Sequence, residues 1–100
     1  MLVDFHAHLD FDAYGQDRDA VIARAKTTGV QHVVLIGQFK DGMAAAREAL
    51  LLARTDPAYF SATAGIHPHE AAKATERDFA ELRELCSEPD IVAVGECGLD

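Results

Sequence analysis

His32-Val33-Val34-Leu35-Ile36-Gly37 decides the fold of this chain. Four consecutive apolar residues, three of them β-branched, favour an extended strand, and the run is too continuous for a sheet with one wet face. A strand buried on both sides belongs to a parallel sheet covered by helices, and the flanking sequence supplies them. Upstream, about Asp17 to Thr28 reads as a helix with Val21, Ile22 and Ala25 on one face; Gly29 stands where a left-handed stop belongs, and Val30 gives the apolar contact after it. Downstream, about Asp41 to Arg54 carries Met43, Ala46, Leu50 and Ala53 at helical spacing, and Thr55-Asp56-Pro57 ends it.

The same alternation extends in both directions. Leu2 to Phe5 reads as a first strand, Tyr59 to Gly65 as a third and Ile91 to Gly95 as a fourth. A third helix opens on the capping pattern Thr75-Glu76-Arg77-Asp78, is expected to turn Phe79, Leu82 and Leu85 inward, and closes at Ser87-Glu88-Pro89-Asp90. The order is βαβαβαβ. Right-handed crossovers between parallel strands lead either to an open doubly wound sheet or to half of a (β/α)8 barrel. An open sheet often marks its ligand site with a Gly-rich first turn, which is missing here. The polar, chemistry-bearing residues instead follow strands one, three and four, and a barrel gathers those strand ends around one mouth. The expected fold is therefore α/β, the N-terminal half of a TIM-type barrel, as a single incomplete domain over residues 1–100.

Composition narrows the function. With 49% hydrophobic and 26% charged residues the chain is an ordinary globular one. No apolar run approaches a membrane span, and no basic segment leads into a long apolar one, so no membrane partner is expected. Cys86 and Cys97 lack Cys-x-x-Cys spacing, which favours a reduced, cytoplasmic setting. The formal net charge of −8 argues against a broad basic surface tracking a phosphate backbone. A nucleic-acid substrate would have to be held by bound metal and a few local cations.

Three segments carry chemistry. In Val3-Asp4-Phe5-His6-Ala7-His8, strand parity puts His6 and His8 on one face with Asp4, and two imidazoles on a rigid strand make a ready pair of metal ligands. Val94-Gly95-Glu96-Cys97-Gly98-Leu99-Asp100 sets a carboxylate at a strand exit between two glycines, and with His6 and His8 it forms a His2Glu set, a recurrent catalytic metal environment. Gly65-Ile66-His67-Pro68-His69 adds two histidines after the third strand.

Together, and in this order and spacing, these segments resemble the successive signatures of the TatD family of metal-dependent hydrolases, within the amidohydrolase-like barrels. His-x-His alone would also suit the PHP phosphoesterases; the other two segments separate them. The resemblance implies a divalent-metal hydrolase, typically a 3′ to 5′ exodeoxyribonuclease acting on single strands or 3′ ends. It implies His6 and His8 as ligands to one metal, and Glu96 as the catalytic carboxylate touching both ions of a two-metal site that admits Mg, Mn or Zn. It further implies His67 and His69 as contacts to substrate phosphate, with Asp4 and Asp100 supporting the ligands rather than meeting the metal. The family pattern continues beyond Asp100 with further His and Asp ligands, so the chain is expected to be an inactive portion of a longer enzyme. The alternatives are a metal-dependent amidohydrolase or esterase on a small substrate, and a non-catalytic, incomplete metal-binding fold.

The remaining residues read blandly. His32 is expected to pack or face solvent, Cys97 to be a small buried hydrophobe, and Cys86 to close a helix. Glu76, Asp78, Glu81 and Glu84 read as a solvated helix face interleaved with Arg77 and Arg83.

Overall fold

The computed structural model describes residues 1–40 and 42–100. Its strands β1 (Leu2–Ala7), β2 (Val30–Gly37), β3 (Phe60–Ala64) and β4 (Ile91–Val94) pair in parallel in the order β1-β2-β3-β4. The helices α1 (Arg18–Thr27), α2 (Ala44–Thr55) and α3 (Glu76–Cys86) connect them. Strands laid down in chain order continue the sheet in one direction, as in a barrel, whereas a doubly wound sheet reverses at a switch point. Two short 3₁₀ turns, Asp12–Tyr14 and Pro68–Lys73, follow β1 and β3. No hydrophobic period marks them in the sequence.

The core lies around β2, β3 and α2. Val33 through Gly37 are all buried whichever face they take, as the apolar run requires. From α2, Ala46, Ala49, Leu50 and Ala53 pack onto the sheet, with Met43 buried just ahead of the helix. The helix sits close because Gly37 has no side chain: a Cβ there would collide with the Thr63 carbonyl oxygen and Ala46. The expected first residue of this helix, Asp41, lies outside the described residues. Around α1 the packing is looser; Val21, Ile22 and Ala25 are only half-buried, and Gly29 takes the expected left-handed φ of 96°.

Three expectations around α3 and β4 need correction. The helix opens on a full capping box, with Thr75 and Asp78 exchanging side-chain and backbone hydrogen bonds, and it buries Leu85. Phe79, however, is half-exposed, and Cys97 is exposed rather than a buried hydrophobe. Both line an open apolar cavity of about 310 Å³ with Ile66, Leu82 and Val94. The cause is their position at an edge: among the described residues β4 pairs only with β3, and Val92 and Val94 are exposed as well. Glu81 also departs from the solvated-face reading, since it accepts from both Arg47 and Arg77. Among the described residues no helix is long and apolar enough to cross a membrane.

Candidate functional site

All four β-strands deliver polar residues at their C-terminal ends. β1 ends at Ala7, so His6 is its penultimate residue and His8 the first beyond it. The Asp4 carboxylate accepts from the His6 backbone N–H at 3.0 Å, so its support of His6 runs through the main chain. The His6 and His8 rings lie 5.1 Å apart, edge to face. His8 in turn stacks on Phe11, with centroids at 4.5 Å.

Glu96 reaches the same place from β4. Its Oε2 lies 3.5 Å from His6 Nε2 and its Oε1 3.2 Å from His67 Nε2, so each carboxylate oxygen addresses a different imidazole. Two local features bring it there. The Thr63 hydroxyl donates to the Gly95 carbonyl at 2.8 Å. Gly65 lets the Gly95–Glu96 backbone pass close by, since a Cβ at Gly65 would fall 2.6 Å from the Gly95 carbonyl carbon.

The imidazoles differ in what they can offer. His67 Nδ1 accepts from the His69 backbone N–H at 3.1 Å, so in the neutral ring the proton sits on Nε2, facing Glu96. His67 is therefore a donor toward the site. His69 stands further out, its Nε2 3.2 Å from an Asp100 carboxylate oxygen, with both side chains mostly exposed. Nδ1 of His8 is buried with no hydrogen-bond partner among the described residues.

One pair among these residues, His6 and Glu96, stands at a spacing that a divalent cation would bridge. A metal with nitrogen and oxygen ligands at about 2.1 Å in tetrahedral array holds neighbouring ligand atoms roughly 3.4 Å apart, close to the 3.5 Å between His6 Nε2 and Glu96 Oε2. That separation is long for a good N–H···O hydrogen bond. Among the described residues no group of three or more His, Cys, Asp or Glu side chains closes on one point, so the geometry offers ligands in pairs.

Several residues around the site were not singled out in the sequence. Arg18, the first residue of α1, donates from its guanidinium to the carbonyls of Leu9, Asp10 and Phe11, fixing the loop that follows His8. Its signal was a cation in a first helical turn, where the helix dipole disfavours it. Burial pushes the Asp10 carboxyl up from its ordinary range, against its backbone hydrogen bond and the pull of His8 and Arg18. On the loop after β2, Lys40 lines a cavity of about 240 Å³ with His67 and His69. His32 sits elsewhere, bonded across the strands to the Ser61 hydroxyl at 2.7 Å and facing the Ala58 carbonyl.

Comparison with known proteins places the chain. The chain is 43% identical over 99 residues to the 3′-5′ ssDNA/RNA exonuclease TatD of Musicola paradisiaca, covering 99% of this chain and 36% of that protein. It is 39% identical to the uncharacterized metal-dependent hydrolase YabD of Bacillus subtilis, over all of this chain and 38% of that one. The crystal structure of a TatD family hydrolase from Entamoeba histolytica superposes with a TM-score of 0.78 at 26% identity, covering 99% of this chain and 38% of that chain. The chain thus spans little more than a third of the length of these relatives. Residues 3–100 match the sequence profile of the TatD-related DNases, and with nearly the whole sequence inside that match the chain belongs to the TatD-related DNase family.

Proposed function

We propose that this chain carries the first part of a divalent-metal site for phosphodiester hydrolysis, in an enzyme that shortens single-stranded DNA or RNA from the 3′ end. The observation that carries the reading is the Glu96 carboxylate held between His6 and His67 at 3.5 and 3.2 Å. His6, His8 and Glu96 would hold the metal, and the charge of Glu96 would keep two ions, whether Mg, Mn or Zn, near one another. A bound divalent ion supplies Lewis acidity and lowers the pKa of a coordinated water. Asp4 holds His6 in place through its backbone N–H. His67, with Nδ1 occupied and a proton on Nε2, is suited to donate to a phosphoryl oxygen rather than to ligate. His69 extends that donor surface outward, with Asp100 orienting its ring.

The test has two parts. Calorimetric titration of the chain with zinc and manganese should show binding that Glu96→Gln weakens by more than tenfold while the fold persists. A chimera with residues 2–100 in place of the matching part of the Musicola exonuclease should then degrade single-stranded DNA with added metal. Glu96→Gln in the chimera should lower turnover by at least roughly a hundredfold, since metal and charge act together in such sites. Hydrolysis of small esters or amides with nucleic acid left intact would move the reading to an amidohydrolase or esterase.

A further inference from the structure

We propose that Lys40 is the residue that takes the phosphate backbone of the nucleic acid beside His67 and His69. The proposal deepens the nucleic-acid reading above and rests on it. A chain of net charge −8 has few cations to spare for a polyanion, and the structure engages most of its nine elsewhere. Lys26, Arg47, Arg54, Lys73 and Arg77 face carboxylates. Arg18 is spent on three backbone carbonyls. Arg24 and Arg83 sit in the last turns of α1 and α3, toward the opposite end of the sheet.

Lys40 alone combines the C-terminal end of the strands with a wall shared with the loop histidines. It is held there because the Phe39 N–H donates to the Gly65 carbonyl at 3.1 Å, tying the loop after β2 to the loop that carries His67. Of the acids near that cavity, Glu70 is matched by Lys73 at 3.0 Å. On its other side Lys40 borders a cavity of about 500 Å³ with Asp10, Asp12 and Glu48, whose charges repel phosphate. On the histidine side the carboxylates of Glu96 and Asp100 each face an imidazole at 3.2 Å, so among the described residues Lys40 is the positive charge that wall offers an anion.

The experiment is fluorescence anisotropy of the 100-residue chain with a labelled oligothymidylate of about ten nucleotides, across a salt series. Lys40→Gln should weaken binding about fivefold near 0.1 M salt and reduce the slope of log K against log salt by about 0.7, the amount expected for one lost phosphate contact. Lys40→Arg should retain both, and Arg24→Gln should change neither. With a neutral methylphosphonate oligomer the Lys40→Gln effect should vanish. Equal losses in Lys40→Gln and Arg24→Gln, or a loss that persists on the neutral oligomer, overturn the assignment while leaving the nucleic-acid reading intact. Absence of binding by the wild-type chain where the chimera binds the same oligomer overturns the Lys40 assignment, and absence of binding by the chimera as well overturns both.

Discussion

The two ends of the sheet treat charge in opposite ways. At the N-terminal ends of the strands, opposite charges meet and are satisfied. Lys26 Nζ lies 2.8 Å from Asp56 and 4.6 Å from the centre of the Tyr59 ring, while Arg54 spans Glu88 at 2.8 Å and Asp90 at 3.0 Å. Each of these links a helix end to the start of a neighbouring strand. At the C-terminal ends, imidazoles and carboxylates gather instead, and what holds them is backbone: the Thr63 hydroxyl on Gly95, the bare Cα of Gly65, and the Arg18 fork on the loop after His8. One end spends its polar groups on the fold. The other keeps them placed but available, which is how a barrel separates stability from chemistry.

The sharpest way to break this contrast is Gly65→Ala. The new Cβ would sit against Gly95 and Glu96 backbone atoms at 2.6–2.9 Å, and backbone cannot swing aside as a long side chain can. A cost of about 1–3 kcal/mol is expected from such overpacking, read as a lower urea midpoint. Zinc affinity should fall with it because Glu96 moves. Unchanged affinity in a folded variant would show that Gly65 does not position the carboxylate.

A smaller effect is expected from Arg18→Ala. Loss of the three carbonyl contacts frees the Leu9–Phe11 backbone and with it the Phe11 ring that stacks on His8. Metal affinity should fall about tenfold, the lower end for losing a group that orients a ligand. Arg18→Lys should rescue it poorly, because an ammonium cannot replace a planar fork bonded to three acceptors. Rescue by Lys equal to wild type would reduce Arg18 to a general charge effect.

Much of this was legible in the sequence, for reasons visible in particular residues. The β-branched run at Val33–Ile36 and the spacing of Ala46, Leu50 and Ala53 report burial by local pattern, and the structure buries them. Thr75 and Asp78 formed the capping box their spacing promised. Phe79 and Cys97 depart from their sequence pattern because apolar character says nothing of whether a neighbour covers the residue, and at β4 one side stays open. At the site, parity put His6 and His8 on one face, and the structure sets His6 against Glu96 without closing the three into one group among the described residues; the Gly-x-His-Pro-His pattern marked His67 and His69. The close meeting of His67 with Glu96 and the place of Lys40 beside the loop histidines depend on how loops from different strands lie together, which no spacing encodes, while the His69-to-His67 hydrogen bond and the Arg18 fork are local turns that no hydrophobic period marks.

The smallest effect, and the one that isolates the other end of the sheet, concerns Lys26 and Asp56. The Lys26 hydrogen bond holds the Asp56 carboxyl below its ordinary 3.8. A carboxyl whose folded pKa is depressed contributes stability that is fully present above 3.8 and disappears as pH falls through the lower folded value. Lys26→Gln should therefore lower Tm slightly at neutral pH, and its difference from wild type should shrink as pH drops below 3.8. Both partners are well exposed, so added salt should erase most of the difference too. Zinc affinity at neutral pH should not change, because no member of this cluster reaches the C-terminal rim. A Tm difference that holds constant from neutral pH into strong acid would mean Lys26 acts by packing over Tyr59 rather than by its charge, and a change in zinc affinity would mean the two ends of the sheet are coupled after all.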